Sequence, residues 1–359
     1  MLIEKLHLHQ QNNLHRTRPL RKLNDGACDF ISSDYLALSK HPKIIAAYQD
    51  AISHYGFGSL ASPVVSGYYT CHRALEEKIS EILNTEKTLL FNAGYLANLA
   101  ALSCILDEKQ IVIADKQSHI SLLQGIKLSG AKLHRYHHND LIHLNKLVAK
   151  YQPNLIISQT VFSMDGDKGD IRTIASSHDT RILIDDAHGF GWLETKAPKN
   201  TLFTLSLSKT LAAMGGAISG SVHDIEYILQ FGKAYQYSTG ISPVVATGVL
   251  ATLNITQEES WRKQKLIENI SLFNDLAMQL ELPLVSTDIT PIRAIVIQDI
   301  EKTLLLQRQL QEQGFLVSAI RPPSVAPSSS RLRITVNSAH TENDIKILLA
   351  KLSEFYHAK

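Results

Sequence analysis

Apolar residues follow two kinds of pattern along the chain, and the two kinds alternate between about residue 40 and about residue 245. Stretches with helical spacing, such as 41–56 and 72–84, predict amphipathic helices. Between the helical stretches lie short apolar runs without polar alternation, at 87–91, 110–115, 154–161, 181–186 and 201–208. Runs of this kind are typical of parallel strands that are buried on both faces. The alternation therefore predicts an α/β fold in which helices cover a mostly parallel sheet.

The pattern changes after about residue 245. A long helical stretch at 244–280 is followed by strand-like runs at 292–297 and 331–336, and then by a closing helical stretch at 342–356. This order predicts a smaller α+β domain. We therefore divide the chain into an amino-terminal arm at 1–40, a large domain at 41–245 and a small carboxyl-terminal domain at 246–359.

Composition and charge narrow the classes of function. The 359 residues include 36 Lys and Arg against 34 Asp and Glu, so the formal charge is +2 and no nucleic-acid partner is expected. The basic residues His15, Arg16, Arg18, Arg21 and Lys22 cluster in the arm, as on a solvated face. The three cysteines lack paired or metal-ligand spacing, residues 1–13 lack the apolar core typical of a signal peptide, and no apolar run reaches the length of a membrane span. A cytoplasmic protein without a metal or a membrane partner is expected.

Candidate chemistry lies where two apolar runs end. Asp185 and His188 follow the run at 181–186, and Lys209 follows the run at 201–208. A buried carboxylate requires a charged partner, and a lysine that is withheld from solvent is a good nucleophile. The two groups can converge on one ligand, as a lysine and an acid do on pyridoxal phosphate. A hydrogen-bonded strand end and an exposed loop lysine are the alternatives.

Three further places have polar groups at the ends of elements. Gly94 and Tyr95 begin a helix directly after a strand, where backbone N–H groups can bind a phosphate. His119 lies just past another strand, where an imidazole can cover a cofactor ring. Arg331 and Arg333 share one face of a strand, and an arginine fixed in this way suits a carboxylate. For Arg331 we expect a surface ion pair instead.

Several segments together resemble the α-oxoamine synthases, which are pyridoxal-phosphate enzymes of fold type I. The matching segments occur in the same order along nearly the whole chain, at 30–42, 161–167, 185–191, 237–243 and 319–327. Members of this family join an amino acid to an acyl thioester and release carbon dioxide. The resemblance implies a large domain with a mostly parallel sheet between helices, a small α+β domain, and a homodimer with a shared active site.

Three of these segments indicate the substrates. SMDGD, YST and AIRPP are most similar to the family member that condenses L-alanine with a pimeloyl thioester, carried on coenzyme A or on a carrier protein. Members that use glycine or serine with other acyl groups share the cofactor residues and remain alternatives. Leu60 and Ala61 stand where the family usually has glycines, so acyl-chain length is open.

The resemblance also implies residue roles. Lys209 is expected to bond to the cofactor and then to act as a base, and Asp185 to pair with the ring nitrogen. His119 is expected to stack on the ring, and His188 to reach its phenolic oxygen. The implied cofactor-binding set is Gly94, Tyr95, His119, Ser163, Asp185, His188, Ser206, Lys209 and Thr239. The implied substrate-binding set is Arg333 for the amino-acid carboxylate and Arg16, Arg321 and Ser324 for the acyl thioester.

Two other interpretations arise from single motifs. Ser206 and Lys209 fit the S-x-x-K pattern of penicillin-recognising serine hydrolases, although the later elements of that family are missing. The histidines His134, His137 and His138 suggest a metal site. Their surrounding segment, KLHRYHHND, is typical of a strand followed by a polar loop, and this favours a solvated surface.

Overall fold

The computed structural model describes residues 2–18, 20, 26–195 and 200–358, and the chain divides into two compact units. The larger unit comprises Leu36–Ser163 and Lys168–Ser260. The smaller unit comprises Met1–Tyr35, Met164–Asp167 and Trp261–Lys359. Arg21 and Lys22 of the basic arm lie outside the described residues.

The larger unit alternates helices and strands, as the sequence predicts. Its helices are α2 (Pro42–Tyr55), α3 (Thr70–Leu83), α4 (Gly94–Ile105), α5 (Ile120–Ser129), α6 (Leu141–Tyr151), α7 (Ile171–Ser177), α8 (Val222–Phe231), α9 (Lys233–Gln236) and α10 (Pro243–Glu258). Its strands are β2 (Lys87–Phe91), β3 (Ile111–Asp115), β4 (Lys132–Tyr136), β5 (Leu155–Gln159), β6 (Arg181–Asp185), β7 (Thr201–Ser206) and β8 (Gly216–Gly220). The elements α1 and β1 belong to the smaller unit and are given with it below.

These strands form one seven-stranded sheet in the order β2-β8-β7-β6-β5-β3-β4. The five strands from β7 to β4 are parallel to their neighbours, whereas β8 is antiparallel to both β7 and β2. The prediction of a mostly parallel sheet is confirmed. β8 was not predicted, because its sequence GAISG has small residues in place of a hydrophobic run.

Burial on both faces explains why the strands lack polar alternation. Ile182 and Ile184 of β6 pack into a core with α3 and α10, and Leu183 packs into a second core with α4 and α5. Side chains of a strand point alternately to its two faces, so a strand that lies between two cores needs apolar residues at every position.

The smaller unit is α+β. Its helices are α1 (Leu2–Gln11), α11 (Trp261–Gln279), α12 (Ile300–Glu312) and α13 (Glu342–His357), and its strands are β1 (Cys28–Asp29), β9 (Ile292–Gln298), β10 (Phe315–Leu316), β11 (Ser318–Ile320) and β12 (Ser330–Thr335). β11, β12 and β9 form an antiparallel sheet. The stretch at 244–280 is therefore two helices, since α10 ends at Glu258 and α11 begins at Trp261. Within the described ranges, no helix has both the length and the apolar character of a membrane span.

Arg331 lies inside the smaller unit, so the expectation of a surface ion pair is wrong. Arg331 and its partner Asp165 are both buried and form a salt bridge. The guanidinium also donates to the carbonyl oxygens of Ser329 at 3.0 Å and Met164 at 3.3 Å. The pair thus connects the segment Met164–Asp167 to β12, although the two are far apart in sequence.

Replacing Arg331 with methionine is expected to destabilise the protein by about 3–5 kcal/mol, because Asp165 is left buried without its counter-charge. The urea midpoint of unfolding measures this loss. The double variant Arg331→Met/Asp165→Asn should recover part of it. Lys346→Met is the control, since Lys346 pairs with Glu342 on the exposed face of α13 and should cost less than about 1 kcal/mol. Equal losses at the two sites would contradict the prediction.

Candidate active site

The ends of β6 and β7 bring an acid and a lysine together in the larger unit. The two strands are parallel neighbours, with Asp185 in register with Thr204. Asp185 is the last residue of β6, and Lys209 follows the end of β7 by three residues. Because parallel strands present their carboxyl ends at one edge of the sheet, both side chains reach the position where such sheets bind ligands.

Charge and hydrogen bonds stabilise the Asp185 carboxylate against its burial. Burial raises the pKa of Asp185, and electrostatic interaction with the ionisable His119 and Lys209 side chains opposes that rise. The Ala187 N–H donates to one carboxylate oxygen at 3.1 Å, and the Asn98 amide donates to the other at 3.2 Å. The structure therefore brings together three of the predicted residues, namely Asp185, Lys209 and His119.

Backbone segments approach closely at the amino terminus of α4. A Cβ atom on Gly94 would lie 2.9 Å from the Leu205 carbonyl oxygen, and one on Gly216 would lie 2.4 Å from the Gly94 nitrogen. Ser206 lies beside Gly94, and its hydroxyl is 2.9 Å from that of Ser208. The free N–H groups of a helix start and a hydroxyl thus meet at one place, which suits a phosphate.

His119 and Tyr95 lie on the two helices next to this place. His119 caps the amino terminus of α5, and its backbone N–H donates to the Gln159 side chain at 2.8 Å. The Tyr95 and His119 rings meet edge to face, with centroids 6.3 Å apart. His188 is buried three residues beyond Asp185, and its carbonyl oxygen accepts from the Trp192 indole at 2.6 Å.

The segment around Thr239 is held by polar side chains of the same unit. The Asn92 amide donates to the Thr239 carbonyl oxygen at 2.6 Å, and Ser59 donates to the Gly240 carbonyl oxygen at 2.7 Å. The Gly240 N–H donates to the Ala61 carbonyl oxygen at 2.9 Å. Thr239 is thereby fixed next to the turn that precedes Gly94. Ser163 is the last residue of the first segment of the larger unit.

The residues that the resemblance assigns to substrate lie in the smaller unit. Arg16 donates to the Ser324 hydroxyl at 2.8 Å, and Arg321 donates to the carbonyl oxygens of Asn13 and His15, each at 2.6 Å. Burial and the charge of Arg16 lower the pKa of Arg321. The arm and the loop after β11 are thus joined, as grouping these three residues requires.

Arg333 lies on β12, two residues beyond the buried Arg331. Its charge and a hydrogen bond lower the pKa of the buried Tyr35 hydroxyl, although burial raises that pKa by more. Arg333 is half-buried.

The contacts of these residues bear on both alternative interpretations. The Ser206 hydroxyl bonds to Ser208, and Lys209 interacts electrostatically with Asp185, as a cofactor lysine does and a serine-hydrolase lysine need not. The Nδ1 of His138 donates to the buried Asp115 carboxylate at 2.9 Å, so a fully solvated histidine group is wrong for this residue. His134 stacks on Tyr151 with ring centroids 3.7 Å apart.

Asn98 and Ser121 were missed from the sequence. Both are buried and polar, and they hydrogen-bond to each other beside Asp185 and His119. A signal was present, since Asn98 interrupts the otherwise apolar run GYLANLAALSCI of α4. A single buried amide does not reveal its partner, which lies on a different helix.

Comparison with known families identifies the class. The profile described as "Aminotransferase class I and II" matches residues 27–352. The chain belongs to this family. Two curated relatives, both called 8-amino-7-oxononanoate synthase, support the α-oxoamine synthase resemblance. One from Pseudomonas putida is 37% identical and covers 96% of this chain and 94% of its own length. One from Saccharophagus degradans is 38% identical and covers 90% and 86%.

Solved structures confirm the type I fold. An 8-amino-7-oxononanoate synthase from Francisella tularensis superposes with a TM-score of 0.82 at 28% identity, over 92% of this chain and 98% of that one. A serine palmitoyltransferase from S. paucimobilis, solved with a pyridoxal-phosphate adduct, reaches a TM-score of 0.90 over 99% and 96%. At 20% identity the second likeness shows the fold alone.

Proposed function

We propose that the chain condenses L-alanine with a pimeloyl thioester and releases carbon dioxide and the free thiol, giving 8-amino-7-oxononanoate for biotin biosynthesis. The observation that carries this proposal is the paired Asp185 and Lys209 in a chain 35–38% identical to curated 8-amino-7-oxononanoate synthases. The enzyme is a pyridoxal-phosphate-dependent acyltransferase. Its cysteines Cys28, Cys71 and Cys104 are free thiols, which is consistent with action in the cytoplasm.

The cofactor is pyridoxal 5′-phosphate, which supplies an electron sink for the carbanion formed at Cα of the amino acid. Lys209 would hold it through the side-chain amine, and the same amine would move the proton at Cα. Asp185 provides the negative charge beside the ring nitrogen, and the buried setting of this charge makes the interaction strong. His119 covers the ring face and excludes water there.

The remaining cofactor contacts follow the resemblance. Gly94, Tyr95 and Ser206 bind the phosphate at the start of α4, where the backbone is closely packed. His188 and Ser163 act at the phenolic oxygen. One cofactor molecule has to contact the Asp185 carboxylate, the Lys209 amine and the phosphate site at Gly94, so these three groups act together.

Substrate contacts are proposed for the smaller unit. Arg333 binds the carboxylate of alanine, for which a guanidinium offers two parallel donors. Arg16, Arg321 and Ser324 bind the acyl thioester, and two neighbouring positive charges suit the phosphates of coenzyme A or of a carrier-protein prosthetic group.

The reaction is tested by thiol release from pimeloyl-coenzyme A and from pimeloyl-carrier protein. We expect release from one of these donors by the cofactor-loaded protein only when L-alanine is present. The reaction without an amino acid is the control. Faster release with glycine or with serine than with alanine would contradict the proposal and would assign the chain to another reaction of the same family.

We further propose a homodimer in which Thr239 reaches the cofactor phosphate of the neighbouring subunit. Exposed apolar side chains concentrate beside the Thr239 segment, at Phe57, Leu60, Val64, Val65 and Tyr237. Leu60 is 87% exposed and has a φ of +65°, a left-handed conformation that costs a non-glycine residue about 1–2 kcal/mol. An apolar residue kept exposed at such a cost is explained by burial in a partner.

Light scattering of the cofactor-loaded protein is expected to give twice the mass of one chain. The double variant Leu60→Asp/Val65→Asp should shift the protein towards monomer and weaken cofactor binding. Leu128→Asp is the control, because Leu128 is equally apolar and 67% exposed but lies at the far end of α5. A monomer with full activity would refute the shared site.

A further inference from the structure

A continuous chain of polar side chains joins Asp185 to His119. The Asn98 amide nitrogen lies 3.2 Å from one Asp185 carboxylate oxygen and 2.9 Å from the Ser121 hydroxyl. The Ser121 hydroxyl lies 2.7 Å from Nδ1 of His119. Asn98 is 3% exposed and Ser121 is 0% exposed, so water does not compete for these bonds.

The donors and acceptors of this chain can be assigned. An amide has two N–H groups, and Asn98 uses one on the Asp185 carboxylate and the other on Ser121. The opposite amide orientation would place its oxygen against the carboxylate. The Asn98 amide oxygen itself has no hydrogen-bond partner among the described residues, so the orientation is set by the nitrogen alone.

The assignment continues to the imidazole. Because the Ser121 oxygen accepts from Asn98, its one proton is directed to Nδ1 of His119. The Ser121 backbone N–H also donates to Nδ1, at 3.3 Å. Nδ1 is therefore an acceptor twice over, and the ring proton of neutral His119 resides on Nε2.

Close packing of two helices makes this contact possible. Gly125 of α5 faces α4, and a Cβ there would lie 2.8 Å from the Leu102 Cβ and 3.0 Å from the Asn98 carbonyl oxygen. Glycine inside a helix costs about 1 kcal/mol relative to alanine. A side chain at 125 would force α5 away from α4, and with it Ser121 away from Asn98.

We propose that Asn98 and Ser121 are positioning residues of the cofactor site: Asn98 orients the Asp185 carboxylate and keeps it charged, and Ser121 presents His119 as the neutral Nε2–H tautomer. This inference rests on the proposed roles of Asp185 and His119 but not on the acyl donor. Asn98 acts on Asp185, which pairs with the ring nitrogen of the cofactor, and Ser121 acts on His119, which covers the ring face. One pair of residues therefore orients both groups that contact the ring.

The first test is the pH dependence of cofactor binding, measured by equilibrium dialysis of pyridoxal phosphate. The ionisable groups around Asp185 are His119, Lys209 and Asp186. Losing the Asn98 donor favours the protonated carboxyl. In Asn98→Ala we therefore expect the loss of affinity towards acid pH to begin about one pH unit higher than in the wild type.

Asn269→Ala is a matched control for this variant. Asn269 is also buried, donates two hydrogen bonds through its amide nitrogen and leaves its amide oxygen without a partner among the described residues, but it lies in α11 of the smaller unit. Its replacement should lower stability without moving the pH profile. An unshifted profile in Asn98→Ala, or an equal shift in Asn269→Ala, would overturn the inference.

The second test reads the tautomer directly in the cofactor-free protein. Histidine labelled with ¹⁵N reports which ring nitrogen carries the proton, and His119→Asn identifies the signal. We expect the Nε2–H form in the wild type and in Ser80→Ala, a buried serine that bonds to Thr88 away from the site. Ser121→Ala loses the closer hydroxyl donor and keeps only the longer backbone N–H contact at 3.3 Å, so it should show a mixture with the Nδ1–H form. A pure Nε2–H form in Ser121→Ala would overturn the role of Ser121.

These readouts separate two failures. If alanine-dependent thiol release is absent while the pH profile and the tautomer behave as expected, the substrate proposal fails and the positioning roles stand. If thiol release is present and neither readout responds to the variants, the positioning roles fail alone.

Discussion

Replacing Lys209 with alanine is expected to lower alanine-dependent thiol release by at least about 10⁴-fold, because one amine both holds the cofactor and moves the Cα proton. No other lysine follows β6 or β7 at the end where Asp185 lies, among the residues that the structure describes. Steady-state kinetics with pimeloyl thioester and saturating alanine measure the loss.

Lys209→Arg separates the amine from its charge. This variant keeps a positive group near Asp185 but has no nucleophilic amine. It should therefore be as inactive as Lys209→Ala, but it should bind pyridoxal phosphate more tightly than Lys209→Ala does. Circular dichroism of both variants should match the wild type. More than a tenth of wild-type activity in Lys209→Ala would mean that another base moves the proton.

The second large effect is expected at Asp185. Asp185→Asn removes the buried charge beside the ring nitrogen, and truncating one partner of a buried charged pair costs about 3–5 kcal/mol, or roughly 10²–10⁴-fold in rate. We expect kcat to fall by this amount while the KM for alanine changes little, since Arg333 is the group proposed to bind alanine.

Asp186→Asn is the matched control. Asp186 is the next residue and is equally buried, but its carboxylate accepts from the Thr160 hydroxyl. Burial raises the pKa of Asp186 to about 7, so a neutral side chain at this position is closer to the wild-type state than it would be for an exposed aspartate. The control variant should keep kcat within about threefold of the wild type. Equal losses in both variants would show that the local fold, not the charge beside the ring, is what Asp185 supplies.

The local predictions were correct where one segment contained all the information. The five apolar runs of the larger unit are strands, because burial on both faces leaves its mark on each strand separately. β8 was not predicted, because its small residues GAISG are suited to close contact with the start of α4 and do not form a hydrophobic run. The break between α10 and α11 was missed because only two residues, Glu259 and Ser260, separate the two helices.

Arg331 shows the limit of sequence reasoning most clearly. Its position on a strand was correct, but its partner Asp165 is 166 residues away in sequence and was not foreseen. A charged residue on a strand is most often at the surface. Only the fold reveals that a counter-charge is buried beside it.

The sequence by itself determined the α/β class, the strand ends that bear Asp185 and Lys209, and the family, because each depends on local pattern or on ordered motifs. The tertiary structure alone decided the partners of buried polar groups: Asn98 with Ser121 and Asp185, and Arg331 with Asp165. A hydrogen bond depends on the distance and angle between two groups. The packing of helices sets that distance and angle, and a residue's neighbours in sequence do not specify the packing.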